Sequence, residues 1–354
     1  MGLYKIVISQ ETVSRVNEYL ERVKNGEKTG SRLQNVLAGK DPAGLGLELF
    51  LDHLMATKVP QIFAESEVCG DGTDWNQTEL SLLGDISVVV PVTVFDNGLH
   101  ARPMVHPQPF LATLLFVPGA LLQNGRGQTP ADWDEVTREG KIDHDRIARL
   151  YERRLMPVLL YTHEAAGKNG KKAVVTIPGL GCGQFAGPFR GMLGQEFRIV
   201  LRTILERHGK KLFNIACLYY DSYSECRNER ESIHGISFFT RPLSRGNQSR
   251  PQLCRPEVYA EDGDDFSGCE LFSVVAWDHV SWPGNDFYGG SRATDDGVKA
   301  AATDAMAVLT GVQGSYDSQK TQYQPPLPFR TWNDVVIGKQ LRLQVAGRLI
   351  VYSR

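Results

Sequence analysis

The stretch Leu271–Thr303, LFSVVAWDHVSWPGNDFYGGSRATDDGVKAAAT, decides the fold class and places the chemistry. It opens with Leu271 to Trp277, an apolar and β-branched run of the length of a buried strand. Pro283, Gly284, Gly289 and Gly290 then interrupt any regular element. The loop they make carries Asp278, Asp286, Asp295 and Asp296 among Trp277, Trp282, Phe287 and Tyr288. Thr294 is an N-cap type, followed by two acids and the helix former VKAAATDAMAVL, so one helix is expected to begin there. A strand end, an acidic glycine-rich loop and a helix start are where α/β proteins place their chemistry. Taken singly, each aspartate has an ordinary explanation. Asp295 and Asp296 complement a helix dipole, Asp286 suits a turn, and Asp278 can bond amides where its strand stops. Four of them within nineteen positions, ringed by aromatic residues, point to a ligand site.

A second stretch, Lys171–Gly209, has the same logic. Ala173 to Ile177 reads as a short strand, and it runs into Gly179, Gly181, Gly183 and Gly187 before a long amphipathic helix. Glycines let several backbone amides approach one ligand, and the following helix start adds partial positive charge, so phosphate is the natural guest. Gly181, Cys182, Gly183, Gln184 and Phe185 are the candidate contacts. Gly181, Gly183 and Ala186 also satisfy the dinucleotide pattern G-x-G-x-x-A, but Asp221 follows later than the roughly 20 residues that pattern requires.

The flanks supply scaffold. Residues 1–75 read as a helical N-terminal extension: Ser9 caps a helix with Val13, Val16, Leu20 and Val23 on one face, and LGLELFLDHLMATKVP follows. Residues 76–354 read as the catalytic domain. GDISVVVPVTVF and FLATLLFVP are strands, Thr129-Pro130 starts a helix, and Asp143 to Ala166 is a long one. Arg146, Arg149, Arg153 and Arg154 on it are expected on a solvated face. FNIACLYYD is a further strand, Arg241 to Gly268 a lid or partner loop, and LRLQVAGRLIVYS an edge strand.

With 354 residues, 42% apolar, 23% charged and a formal net charge of −2, the chain is an ordinary globular one. That charge gives no reason to expect nucleic acid or an anionic membrane as partner, and no apolar run reaches bilayer length. The six cysteines form no C-x-x-C pair, and without a signal-peptide pattern they read as reduced thiols of a cytoplasmic protein. The eight histidines form no zinc motif, so no metal site is assigned. A monomer is expected.

Strands alternating with helices argue for an α/β layered core. VVTIP followed by GLGCGQFAGP resembles the phosphate loop of the macrodomain family, whose members bind ADP-ribose. AWDHVSWPGNDFYGGSR followed by TDDGVKAAAT resembles the MavL type of macrodomain, a Legionella effector and its relatives. The resemblance implies a three-layer α/β/α fold with a mixed central sheet and ADP-ribose as ligand and product. It further implies removal of ADP-ribose from arginine side chains, with ADP-ribosylated ubiquitin as a protein substrate and a host cytoplasm as the place of action. Carried over by position, the functional aspartates are Asp278, Asp286 and Asp296, with Asn285 and Asp295 as further ligand contacts. Two departures stand out. Phe116-Val117-Pro118-Gly119 occupies the place of the asparagine-pair and triple-glycine loop, and the paired glutamates of poly-ADP-ribose glycohydrolases are missing. Asp85, in the triplet GDI, is left outside the site.

Carboxylates suit an N-glycosidic bond that breaks through an oxocarbenium-like transition state, one stabilising positive charge and one activating water. Asp286 and Asp296 are assigned to the reacting end, and Asp278 to ribose hydroxyls or the guanidinium. No cofactor is required by this reading, and dependence on Mg²⁺ is open. Two other classes compete: a non-catalytic reader of ADP-ribosylated proteins, and an NAD-dependent oxidoreductase.

Overall fold

Ser9 does cap a helix, its hydroxyl accepting from the Thr12 amide at 3.0 Å. The residues before it are not helical, however. A computed structural model describes residues 3–125 and 127–353, and in it Lys5–Ser9 is strand β1, leading into α1 (Gln10–Lys24). KIVIS is apolar enough to be buried on both faces, and a strand this short is easily masked by the strong helix signal that follows. After a short helix at Ser31–Leu37 come helices α2 (Leu47–Met55), α3 (Ala64–Glu67) and α4 (Gln77–Gly84).

Next come β2 (Ser87–Asp96), β3 (Val105–Pro118), α5 (His144–Lys168), β4 (Ala173–Pro178), α6 (Leu193–His208) and β5 (Ile215–Asp221). A hairpin of β6 (Glu229–Ile233) and β7 (Ile236–Thr240) precedes β8 (Glu270–Trp277). Then follow α7 (Asn285–Tyr288), α8 (Asp295–Ala301), α9 (Ala305–Thr310) and β9 (Leu349–Tyr352). The strands form one nine-stranded sheet in the order β9-β1-β2-β3-β8-β4-β5-β7-β6. β1–β2, β2–β3 and β6–β7 pair antiparallel and the rest parallel, so the sheet is mixed.

Burial on both faces explains the sequence of β8. Val275 packs with α1, α2, α4, α8 and α9 on one face, while Val274 packs with α5 and α6 on the other. The result is a three-layer α/β/α arrangement with β8 at its centre, as the alternating strands and helices predict. The chain leaves β4 toward α6 on one face, and leaves the adjacent β8 toward α8 on the opposite face. Such a switch opens a crevice at the carboxyl ends of the two strands, the usual ligand position in open α/β sheets.

Four local expectations are corrected. Arg153 and Arg154 are not on a solvated face; they are 3% and 1% exposed. Thr129-Pro130 does not begin a helix; the nearest is the single turn Trp133–Val136, because Asp132 is drawn inward to accept from the Leu121 amide. Arg241 to Gly268 folds down on the sheet, burying Leu253 and Tyr259, with Glu261 held by Arg241 and Arg250. The single helix expected after Thr294 divides into α8 and α9, where Asp304 turns to accept from the Thr93 amide at 2.7 Å. No described helix is long and apolar enough to cross a membrane.

Candidate functional site

Three loops meet at the carboxyl ends of β3, β8 and β4. The register pairs Trp277 of β8 with Pro118 of β3, and the Gly119 amide donates to the Trp277 carbonyl at 3.3 Å. The loop after β3 also meets the glycine loop after β4. Tyr151 of α5 joins them, its hydroxyl donating to the Leu180 carbonyl at 2.6 Å and accepting from the Ala120 amide at 3.1 Å. The Phe185 ring lies 6.0 Å from that of His279, which brings the glycine loop to the acidic loop.

The glycine loop ends in a 3₁₀ segment, Gln184–Phe189, that precedes α6. Among the described residues, none accepts from the amides of Gly181, Gly183, Gln184 or Phe185. Unused amides gathered at a helical turn are what a phosphate needs. Cys182 is buried, and burial pushes its thiol well above the usual range, so it is no nucleophile here. A Cβ placed on Gly183 would meet nothing within 4 Å, so the backbone there faces open space. Gly183→Val is therefore expected to fold normally and weaken ADP-ribose binding at least tenfold. Calorimetry and melting on one preparation check both halves; unchanged affinity would remove the phosphate assignment.

In the acidic loop the four aspartates have unequal employment. Asp278 accepts from the amides of Val280 and Ser281 at 2.7 and 2.6 Å, from the Ser281 hydroxyl, and from Asn285 Nδ2 at 3.0 Å. Asp296 accepts from the amides of Gly284 and Asn285 at 2.7 and 2.9 Å. Burial, with the Asp278 charge adding to it, pushes the Asp296 carboxyl well above the usual range. Thr294 caps α8 as its sequence predicts, its side chain accepting from the Gly297 amide. Asp295 is turned away from the others, accepting from the Ala276 amide at 2.8 Å and from buried Lys299 at 3.1 Å. Asp286 differs from all three. It is 4% exposed, yet its carboxylate accepts no hydrogen bond from any described residue. Gly297 lets α8 pack directly on it, since a Cβ there would lie 2.9 Å from the Asp286 Cβ.

The wall facing this loop comes from the first segment of the chain, which no local pattern of residues connects with it. Val59 donates to the Val280 carbonyl at 3.0 Å and accepts from the Trp282 amide at 2.8 Å. Asn285 is spent on the same strap: its Oδ1 accepts from the Ile62 amide at 2.9 Å and its Nδ2 donates to the Ile62 carbonyl at 2.8 Å. Lys58 is buried, with Nζ 4.0 Å from the Trp277 ring and donating to the His279 carbonyl at 2.6 Å. Burial pushes the Lys58 ammonium down to about 7, against the opposing pull of Asp278 and Asp296. At the far end of the strap α3 carries Glu65, half-buried. Ser66 beside it is met by Gly125 of the loop after β3, where a Cβ would lie 1.7 Å from the Ser66 carbonyl oxygen.

Behind the three loops lies a buried ion network. Arg154 donates to Asp85 at 3.2 Å, to Asp132 at 2.8 Å and to the Gly119 carbonyl at 2.9 Å. Arg153 bonds Asp85 at 2.8 Å and Glu135 at 2.6 and 2.9 Å, and Arg15 also reaches Asp85. Asp132 in turn lies 3.3 Å from His279 Nε2. Burial lowers the His279 imidazole, so the ring is neutral and Nε2–H donates to that carboxylate. Asp85, left outside the site by its sequence context, is committed to this network.

A hollow of about 280 Å³ lined by Leu122, Asn124, Gln128 and Trp133 adjoins the glycine loop, where the Leu122 amide donates to the Phe185 carbonyl at 2.9 Å. Another, of about 300 Å³, lies at the opposite end of β8, at Glu270 and Leu271, away from both loops. Among the described residues no three His, Cys, Asp or Glu are grouped to hold a metal ion.

No curated protein matches the chain. The family model described as "Macrodomain effector MavL" matches residues 4–329, a span that takes in the strap as well as both loops. That match covers most of the chain and agrees with the three-layer mixed sheet and the paired loops at its carboxyl edge: the chain belongs to the MavL family of macrodomain effectors.

Proposed function

We propose that this macrodomain removes mono-ADP-ribose from arginine side chains of proteins, ubiquitin among them, in a cytoplasm. The observation that carries the reading is Asp286: a nearly buried carboxylate to which no described residue donates, at the carboxyl edge of the sheet that also presents the amides of Gly181, Gly183, Gln184 and Phe185, from which no described residue accepts. In this reading the glycine-loop amides hold the diphosphate, and its binding energy fixes the anomeric carbon. The hollow beside Leu122 and Trp133 supplies adjoining space for the rest of the nucleotide.

Asp286 then takes a proton from the attacking water. The water oxygen bonds the anomeric carbon, the C–N bond breaks, and its electron pair leaves with the guanidine, which takes up the proton held by Asp286 to become guanidinium and returns Asp286 to its carboxylate form. Asp278 and Asp296 are assigned a different part from Asp286. Their oxygens are occupied by loop amides and by Asn285, so they hold the loop in the shape that presents Asp286. Asp295 serves the same end through Ala276 and Lys299.

The test is incubation of the protein with peptides ADP-ribosylated on arginine, glutamate or serine, followed by mass spectrometry. Release from arginine alone is expected. Tight retention of all three without release would make the protein a reader of the modification instead.

A further inference from the structure

The strap brings a second carboxylate, Glu65, within the electrostatic reach of Asp286. Asn285 clamps Ile62 through both its amide and its carbonyl, three residues before Glu65 and one before Asp286 in their own segments. Glu65 is thereby held on the rim of the acidic loop. It is half-buried, and among the described residues it is hydrogen-bonded by its own amide alone. Burial first, then the charges of Asp278, Asp286 and neighbouring Glu67, push its carboxyl above the usual range.

Charge balance differs sharply between the two sides of the loop. Asp278 and Asp296 share the field of the Lys58 ammonium and are covered by amides. Neither Asp286 nor Glu65 forms an ion pair with any described residue. Two carboxylates held near one another, partly out of water and without a counter-ion, raise each other's energy, and a cation between them relieves it. Among the described residues no cation acts on Glu65, so the ligand brings it.

We propose that Glu65, with Asp286, receives the guanidinium of the modified arginine, and so makes the site specific for a cationic leaving group. This rests on the hydrolase reading for its biological meaning but is tested without turnover. Glu65 is a positioning residue here. A planar guanidinium can bridge two carboxylates with paired N–H···O bonds, which a serine or glutamate linkage cannot do. Release of the sugar leaves that cation seated until product departs.

The probe is methylguanidinium, titrated by calorimetry into protein saturated with ADP-ribose. The wild-type protein is expected to bind it, and Glu65→Gln to bind it at least tenfold more weakly, with ADP-ribose affinity and melting temperature unchanged. Glu65→Asp should recover part of the loss. Binding should weaken as pH falls through the raised Glu65 carboxyl, because the protonated acid no longer carries the charge that attracts the cation. If arginine peptides are hydrolysed, Glu65→Gln should raise KM at least tenfold with a smaller change in kcat. Failure of wild-type protein to bind methylguanidinium, or equal binding by Glu65→Gln, overturns the proposal. Glu65-dependent binding without hydrolysis would keep it while removing the hydrolase reading, and hydrolysis with a KM indifferent to Glu65→Gln would do the opposite.

Discussion

Asp286→Asn is expected to lose about 10²- to 10⁴-fold of the single-turnover rate on an arginine-linked substrate, the usual worth of a general base. ADP-ribose should still bind within a few-fold of wild type, because the amides of Gly181 to Phe185 are untouched. The melting temperature should also hold, since no described residue donates to this carboxylate. That combination separates chemistry from scaffolding. Asp278→Ala and Asp296→Ala should behave differently: each strips acceptors from buried loop amides, and an unsatisfied buried donor costs about 1–3 kcal/mol. Those variants should melt early and lose activity together. An Asp286→Asn protein that hydrolyses at the wild-type rate would end the assignment, whatever its stability.

The sequence went far at the centre of the molecule and less far at its edges. Leu271–Trp277 is legible as a buried strand because β-branched residues without polar interruption fit a strand covered on both faces. Thr294 is legible as a cap because its hydroxyl competes for an amide wherever it stands before a helical run. The four clustered aspartates are visible by spacing, but their separate employment is not. Whether a carboxylate meets amides or solvent depends on loop conformation, which no periodicity encodes. Lys58, Asn285 and Glu65 show the larger gap. More than two hundred residues separate Ile62 from Asn285, and a contact over that distance leaves no local pattern in a single sequence. A buried lysine beside a tryptophan reads in sequence as any other lysine near the end of a helix.

Arg154→Met is expected to destabilise the protein by about 3–5 kcal/mol, the cost of removing one partner from a buried ion network. The sequence places Arg154 on a helix face with three other arginines, where solvent is the simplest neighbour. The structure instead buries it between Asp85 and Asp132, with the Gly119 carbonyl completing its fork. Burial alone would raise both carboxyls. For Asp85 the charges of Arg153, Arg15 and Arg154 outweigh it, and for Asp132 the Arg154 charge and the hydrogen bond from His279 do, so both are held below the usual range. A carboxyl with a lowered folded value contributes stability that is present above its unfolded value and lost as pH falls through the folded one. Without Arg154 the two acids rise, and they protonate on the way down from neutral pH. The stability gap between wild type and variant should therefore be widest near pH 7 and narrow toward pH 3, in urea unfolding at each pH. A gap independent of pH would mean that packing rather than charge was lost. Because Arg154 also holds Gly119 and, through Asp132, His279, the variant should bind ADP-ribose more weakly even where it remains folded. That loss would tie the buried network to the two loops whose meeting makes the site.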